Sequence, residues 1–92
     1  MGLEFEWDNK KASANLEKHG VAFEEAATVF HDTLSLTIPD PLHSHGEHRF
    51  VLVGESVRGR LLVVVHSERG ERIRIISARM ANIRERRTYE ER

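Results

Sequence analysis

The 92-residue sequence contains no cysteine, which excludes disulfide staples and thiolate metal sites and permits a reducing compartment. No stretch approaches the ~20 apolar residues of a membrane span. The opening MGLEFEWDNK has neither the basic start nor the apolar centre of a secretory leader. These absences predict a cytoplasmic protein with no membrane contact. The only two prolines, Pro39 and Pro41, fall within one segment, and no repeat or low-complexity tract occurs. The length fits one domain over residues 1–92, and an apolar content of 39% suffices for one core.

Arginine is missing from the first half and lysine from the second. Residues 1–48 carry three Lys against nine Asp/Glu, a balance of −6. Residues 49–92 carry eleven Arg against six Glu, a balance of +5, although the whole chain is only −1. Such a split is an interaction signal. The planar guanidinium grips phosphate through two hydrogen bonds, whereas an ammonium supplies a point charge.

Leu3, Phe5 and Trp7 alternate with Glu4 and Glu6, the period of a half-buried strand. Asp8 or Asn9 can cap a helix through KKASANLEKH, with Ala12, Leu16 and His19 on one stripe and Gly20 as its stop. Phe23, Ala26, Ala27 and Phe30 then follow helical spacing, so two short helices form a hairpin. Strand patterns follow at 34–38, 49–56, 60–68 and 72–79, separated by short turns apart from the loop-like stretch 39–48. A polar helix closes the chain from Met80 onward. The predicted fold is α+β, in the order β-α-α-β-β-β-β-α. A small antiparallel sheet has its two early helices on one face and a partly open, polar second face.

Three blocks in this order, FEWD with NLEKHGVAFEEAATVF, GRLLVVVHSERG, and RIRIISARMA, resemble the BrnT family of toxins over residues 5–89. The resemblance implies a RelE-like fold and the ribonuclease half of a type II toxin–antitoxin pair. It further implies a metal-independent endoribonuclease that cleaves RNA and arrests translation without a cofactor. The implied partner is a BrnA-like ribbon-helix-helix antitoxin, through which alone the chain would reach operator DNA and repress its operon. One departure is Ala22, where a Ser or Thr cap would strengthen the second helix by ~1 kcal/mol.

Metal-free RNA cleavage needs an aligned 2′-hydroxyl, a stabilised phosphorane and mobile protons. Arginine stays protonated, so Arg79 and Arg60 are read as phosphate clamps at the catalytic centre. Arg79 takes precedence because it ends the last strand in ISAR, where the RelE-like fold places such a residue; its bland alternative is a salt bridge to Glu85. His66 is the candidate acid or base. Tyr89 matches a C-terminal tyrosine of RelE-like toxins and could stack on a base. Arg49, Arg72, Arg74 and Lys18 are assigned to RNA contact. On strict alternation Arg72 and Arg74 share a face that excludes Arg79, unless the strand breaks its alternation. His43, His45 and His48 have no fixed ligand geometry and are not read as a metal site. Glu24 and Glu25 read as a solvated helix face. The runner-up function is a non-catalytic interaction domain of the same fold; a basic DNA-binding module lacks any matching motif.

Overall fold

A computed structural model of the chain describes residues 3–39 and 48–91. Its elements run β1 (Glu4–Glu6), α1 (Asn9–His19), α2 (Phe23–Thr28), a 3-10 turn (Val29–His31), β2 (Leu36–Pro39), β3 (Arg49–Glu55), β4 (Leu61–Arg69), β5 (Arg72–Met80) and α3 (Ile83–Glu90). This is the predicted element order. Most of the loop expected at 39–48 lies outside the described residues, as do His43 and His45.

Local chemistry explains the helix ends. The Asp8 carboxylate accepts from the Lys10 and Lys11 amides at 2.8 and 3.2 Å, which starts α1 and lowers the acid's pKa. Gly20 stops α1 at φ 69°, donating its amide to the Leu16 carbonyl. Helix α2 has no side-chain cap at Ala22, as its sequence predicts. Asn82 caps α3 reciprocally with Glu85, each side chain accepting from the other's backbone amide.

The sheet order is β1-β5-β4-β3-β2. Strands β2 to β5 form an antiparallel meander, while β1 returns beside β5 in parallel. The parallel edge departs from the wholly antiparallel expectation because a pairing across the length of the chain leaves no local trace. Helices α1 and α2 cover one face. Val21, Phe23, Ala26 and Val29 meet Leu52, Leu62, Val64, Ile75 and Ala78 there, all essentially closed to solvent. Each large side chain so buried contributes about 1.5–3 kcal/mol. Gly54 permits the closest approach, since a Cβ would stand 2.8 Å from Val29 Cγ1.

The α1 stripe differs in detail from its prediction. Leu16 is exposed, and the buried residue is Asn15. Strand β1 pairs only with residues 72–74, so the remainder of β5 is a sheet edge. Asn15 completes that edge: its amide donates to the Ala78 carbonyl at 2.9 Å and accepts from the Ala78 amide at 3.1 Å. A third bond, to the Val21 carbonyl, ties the hairpin to the same point.

Candidate functional site

The face away from α1 and α2 carries the arginines. Strand β5 holds one residue more than β4 between the pairs Val65–Ser77 and His66–Ile75, which leaves Ile76 as a β-bulge. Before the bulge Arg72 and Arg74 face away from the helices; after it Ser77 and Arg79 do. The broken alternation therefore places all three arginines on one face. Registers across the sheet define rows on that face: Arg69–Arg72–Glu4, then Arg49–Ser67–Arg74–Glu6, then Ile38–Val51–Val65–Ser77, then Leu36–Val53–Val63–Arg79.

Most of the arginines in these rows meet carboxylates. Arg74 lies 3.3 Å from Glu6, and Arg72 lies 3.5 Å from Glu4 and 3.7 Å from Glu6. Arg79 binds Glu85 at two points, 2.8 and 2.7 Å, while its side chain stays 43% exposed. The pairing holds the Glu85 carboxyl below its ordinary value and raises the guanidinium further. This bond brings α3 onto the arginine side of the sheet. At the other end of α3, the Tyr89 hydroxyl donates to Asp32 at 2.6 Å, and Asp32 also accepts from the Glu55 amide. Lys18 is exposed on α1 and lines a shallow depression with Lys11, His19, Ile76 and Ser77, beside the bulge.

Two predicted catalytic residues stand elsewhere. Arg60 pairs with Glu25 of α2, through a 2.9 Å bond from Nε and a shorter one from Nη2, and also donates to the Gly20 carbonyl. Its position ties α2 to the approach to β4 rather than to the arginine face. His66 faces the helices and is 1% exposed, edge-on to Phe30 and stacked on Phe50. Its Nε2 lies 3.6 Å from Glu68. Burial lowers the His66 pKa, and Glu68 only partly opposes that shift. Strand alternation sets His66 on the face of Leu62 and Val64, but alternation alone does not show that this face is sealed. His48 is exposed at the start of β3, and among the described residues no three His, Asp or Glu side chains group to hold a metal ion.

Sequence reasoning missed two participants, Glu25 and Ser67, and part of the role of a third, Glu85. Glu25, read as solvated, is 7% exposed and also accepts from the Ser56 hydroxyl at 2.7 Å. The Arg60 bonds lower its pKa. The available signal was its i, i+4 relation to the buried Val29. Ser67 is fully buried between Arg49 and Arg74 in its row, its hydroxyl without a partner. Glu85 was weighed only as a partner of Arg79, whereas it also accepts from the Asn82 amide.

The architecture is the fold of a solved ribonuclease toxin. The 1.1 Å crystal structure of the Brucella abortus ribonuclease toxin BrnT matches it with a TM-score of 0.69 at 21% identity, covering 88% of this chain and 99% of that one. The chain itself belongs to the BrnT family. The family model described as "Ribonuclease toxin, BrnT, of type II toxin-antitoxin system" matches residues 7–85. Comparison with curated proteins yields no match.

Proposed function

We propose that this chain is a metal-independent endoribonuclease that arrests translation in the cytoplasm. The observation that carries this reading is the bulge at Ile76, which gathers Arg72, Arg74 and Arg79 on one face. Arg79 is the central clamp: a phosphodiester replaces Glu85 on its fork, exchanging one two-point oxyanion for another. Arg49, Arg72, Arg74 and Lys18 hold the flanking phosphates. The 2′-hydroxyl gives up its proton as its oxygen attacks phosphorus, and the 5′-oxygen leaves and takes up a proton. The 5′ fragment therefore ends in a 2′,3′-cyclic phosphate and the 3′ fragment begins with a 5′-hydroxyl. Arg79 stabilises the phosphorane charge. Tyr89, on the same helix as Glu85, meets a base or a proton once α3 shifts and its hydroxyl leaves Asp32. His66 and Arg60 are assigned no contact with RNA.

A BrnA-like ribbon-helix-helix antitoxin neutralises the enzyme by covering the arginine face, and the complex represses its own operon through the antitoxin's hold on operator DNA. The purified chain should cleave RNA in EDTA and leave cyclic or 3′-phosphate ends. Dependence on magnesium with 5′-phosphate products would overturn the mechanism. A second reading, the non-catalytic interaction domain, is favoured by the occupied fork of Arg79 and the buried position of His66. Tight antitoxin binding by a wild-type chain that cleaves no RNA would select it.

A further inference from the structure

The arginine face is not uniformly polar. Solvated faces of antiparallel sheets usually alternate apolar inward with polar outward. Here the rows between Ser67 and the start of β4 are aliphatic on the outward side as well: Val51, Val53, Val63 and Val65, continued onto β2 by Leu36 and Ile38. Helix α3 closes part of this surface. It is anchored at Arg79 and at Asp32 and packs against β3; Leu61 and Val63, on the same face of the neighbouring strand, are 4% and 2% exposed. Among the described residues, nothing gives the row Ile38–Val51–Val65 such a cover. Ile38 is 55% exposed and both valines are half-buried. The floor it forms crosses three strands, about 10 Å, the length of two helical turns. On one side stands α3; on the other stand Arg49 and Arg74, with Arg69 and Arg72 behind them.

An aliphatic floor without an aromatic ring offers nucleic acid no stacking surface, whereas it suits leucine- or valine-sized side chains. The basic row on one side adds a second requirement, negative charge on one flank of whatever lies there. Family membership supplies the source of such a segment, because the partner of a type II toxin is a protein antitoxin.

We infer that Ile38, Val51 and Val65 form the docking strip for the antitoxin, which lays an amphipathic segment across them with its carboxylates toward Arg49 and Arg74. The inference rests on the ribonuclease-toxin reading and adds to it a division of the face. Apolar contacts on the strip hold the antitoxin, and the arginine rows hold phosphate. Bound antitoxin then blocks RNA by lying against the arginines, yet most of its affinity comes from apolar residues that RNA does not use.

The test uses the full chain and the purified antitoxin encoded beside it. Ile38→Asp puts a charge on an exposed edge position, and Val65→Thr keeps the shape while adding a hydroxyl. Calorimetric titration should show antitoxin affinity falling by about tenfold or more for Ile38→Asp and by several-fold for Val65→Thr. Both variants should melt as cooperatively as wild type and cleave RNA at rates within about threefold of it. Arg74→Ala should weaken both activities. Unchanged antitoxin affinity in the folded Ile38→Asp chain overturns the inference. So does loss of RNA cleavage with antitoxin binding intact, which would make the strip an RNA surface. Self-association of wild type that Ile38→Asp abolishes would assign the strip to a second copy and overturn it too. Wild type that binds antitoxin through the strip but cleaves no RNA would leave the docking site standing while the ribonuclease reading fell.

Discussion

Arg79 and Glu85 face each other as two planar forks, with Nη1–Oε1 at 2.8 Å and Nη2–Oε2 at 2.7 Å. One Glu85 oxygen also accepts from the Asn82 amide. The clamp assigned to phosphate and the cap that starts α3 therefore share one carboxylate. Helix α3 has no fully buried residue, so polar clasps at Glu85 and Tyr89 carry much of its attachment.

Replacing Arg79 should separate chemistry from folding. Arg79→Ala should slow RNA cleavage by about 10²–10³-fold while the chain remains folded, since the charge on the phosphorane loses its counterpart. Arg79→Lys should recover only part, because it keeps the charge without the fork. Asn82→Ala should cost ~1 kcal/mol through the lost cap. A folded Arg79→Ala chain with wild-type cleavage would remove Arg79 from the mechanism.

The same pair shows how far the sequence was legible. Periodicity gave the element order, since Phe23, Ala26 and Phe30 on one helix and the alternation of RFVLV are local properties. Asp8 and Gly20 gave the limits of α1 for the same reason. The grouping of Arg79 with Arg72 and Arg74 depends on a single unpaired residue, Ile76, and pairing registers are settled between strands. The burial of His66 depends on what lies over it, namely Phe30 from a distant turn and Phe50 from the neighbouring strand. Glu25 read as solvated because its partners, Arg60 and Ser56, lie more than thirty residues away.

His66 should shape stability rather than the rate profile. Its folded pKa lies below the ordinary histidine value because burial penalises the charged ring. The unfolded chain therefore takes up a proton near pH ~6.5 that the folded chain refuses. The contribution of His66 is constant above that pH. It is lost progressively as pH falls below it, until the folded value is reached. His66→Phe removes the titration and keeps the ring volume. Denaturant midpoints at pH 7.5 and 5.5 should lie closer together in His66→Phe than in wild type. Equal separations would show that the histidine is solvated after all.

Arg60 should behave as a structural residue. Its guanidinium sits over the buried carboxylate of Glu25, and removing it leaves that charge only the exposed Arg58 at 3.7 Å and the Ser56 hydroxyl. Arg60→Ala should lower the melting temperature, and Glu25→Gln introduced beside it should restore part of the loss, the two changes being non-additive. Cleavage per folded molecule should hold at temperatures where Arg60→Ala is fully folded. A catalytic defect there, without a stability defect, would return Arg60 to the active centre.

Arg74 and Glu6 give the proposed RNA surface an internal control. Glu6 lies 3.3 Å from Arg74 and 3.7 Å from Arg72, so it neutralises part of the charge that a phosphate would meet. RNA has to compete with this carboxylate, and affinity should rise when it is removed. Glu6→Gln should strengthen binding of a short single-stranded RNA several-fold at low salt, an effect that fades as ions screen the face. Arg74→Ala should weaken binding to every sequence alike, because a phosphate contact carries no base information. It should also flatten the dependence of log affinity on log salt by about 0.7, the value of one lost contact to a single strand. The slope distinguishes contact from general electrostatics, since a distant charge changes affinity without removing a bound counterion. If Arg74→Ala leaves the slope unchanged while Arg79→Ala alters it, the RNA path crosses the sheet only at the α3 end, and the arginines beside β1 serve the protein partner.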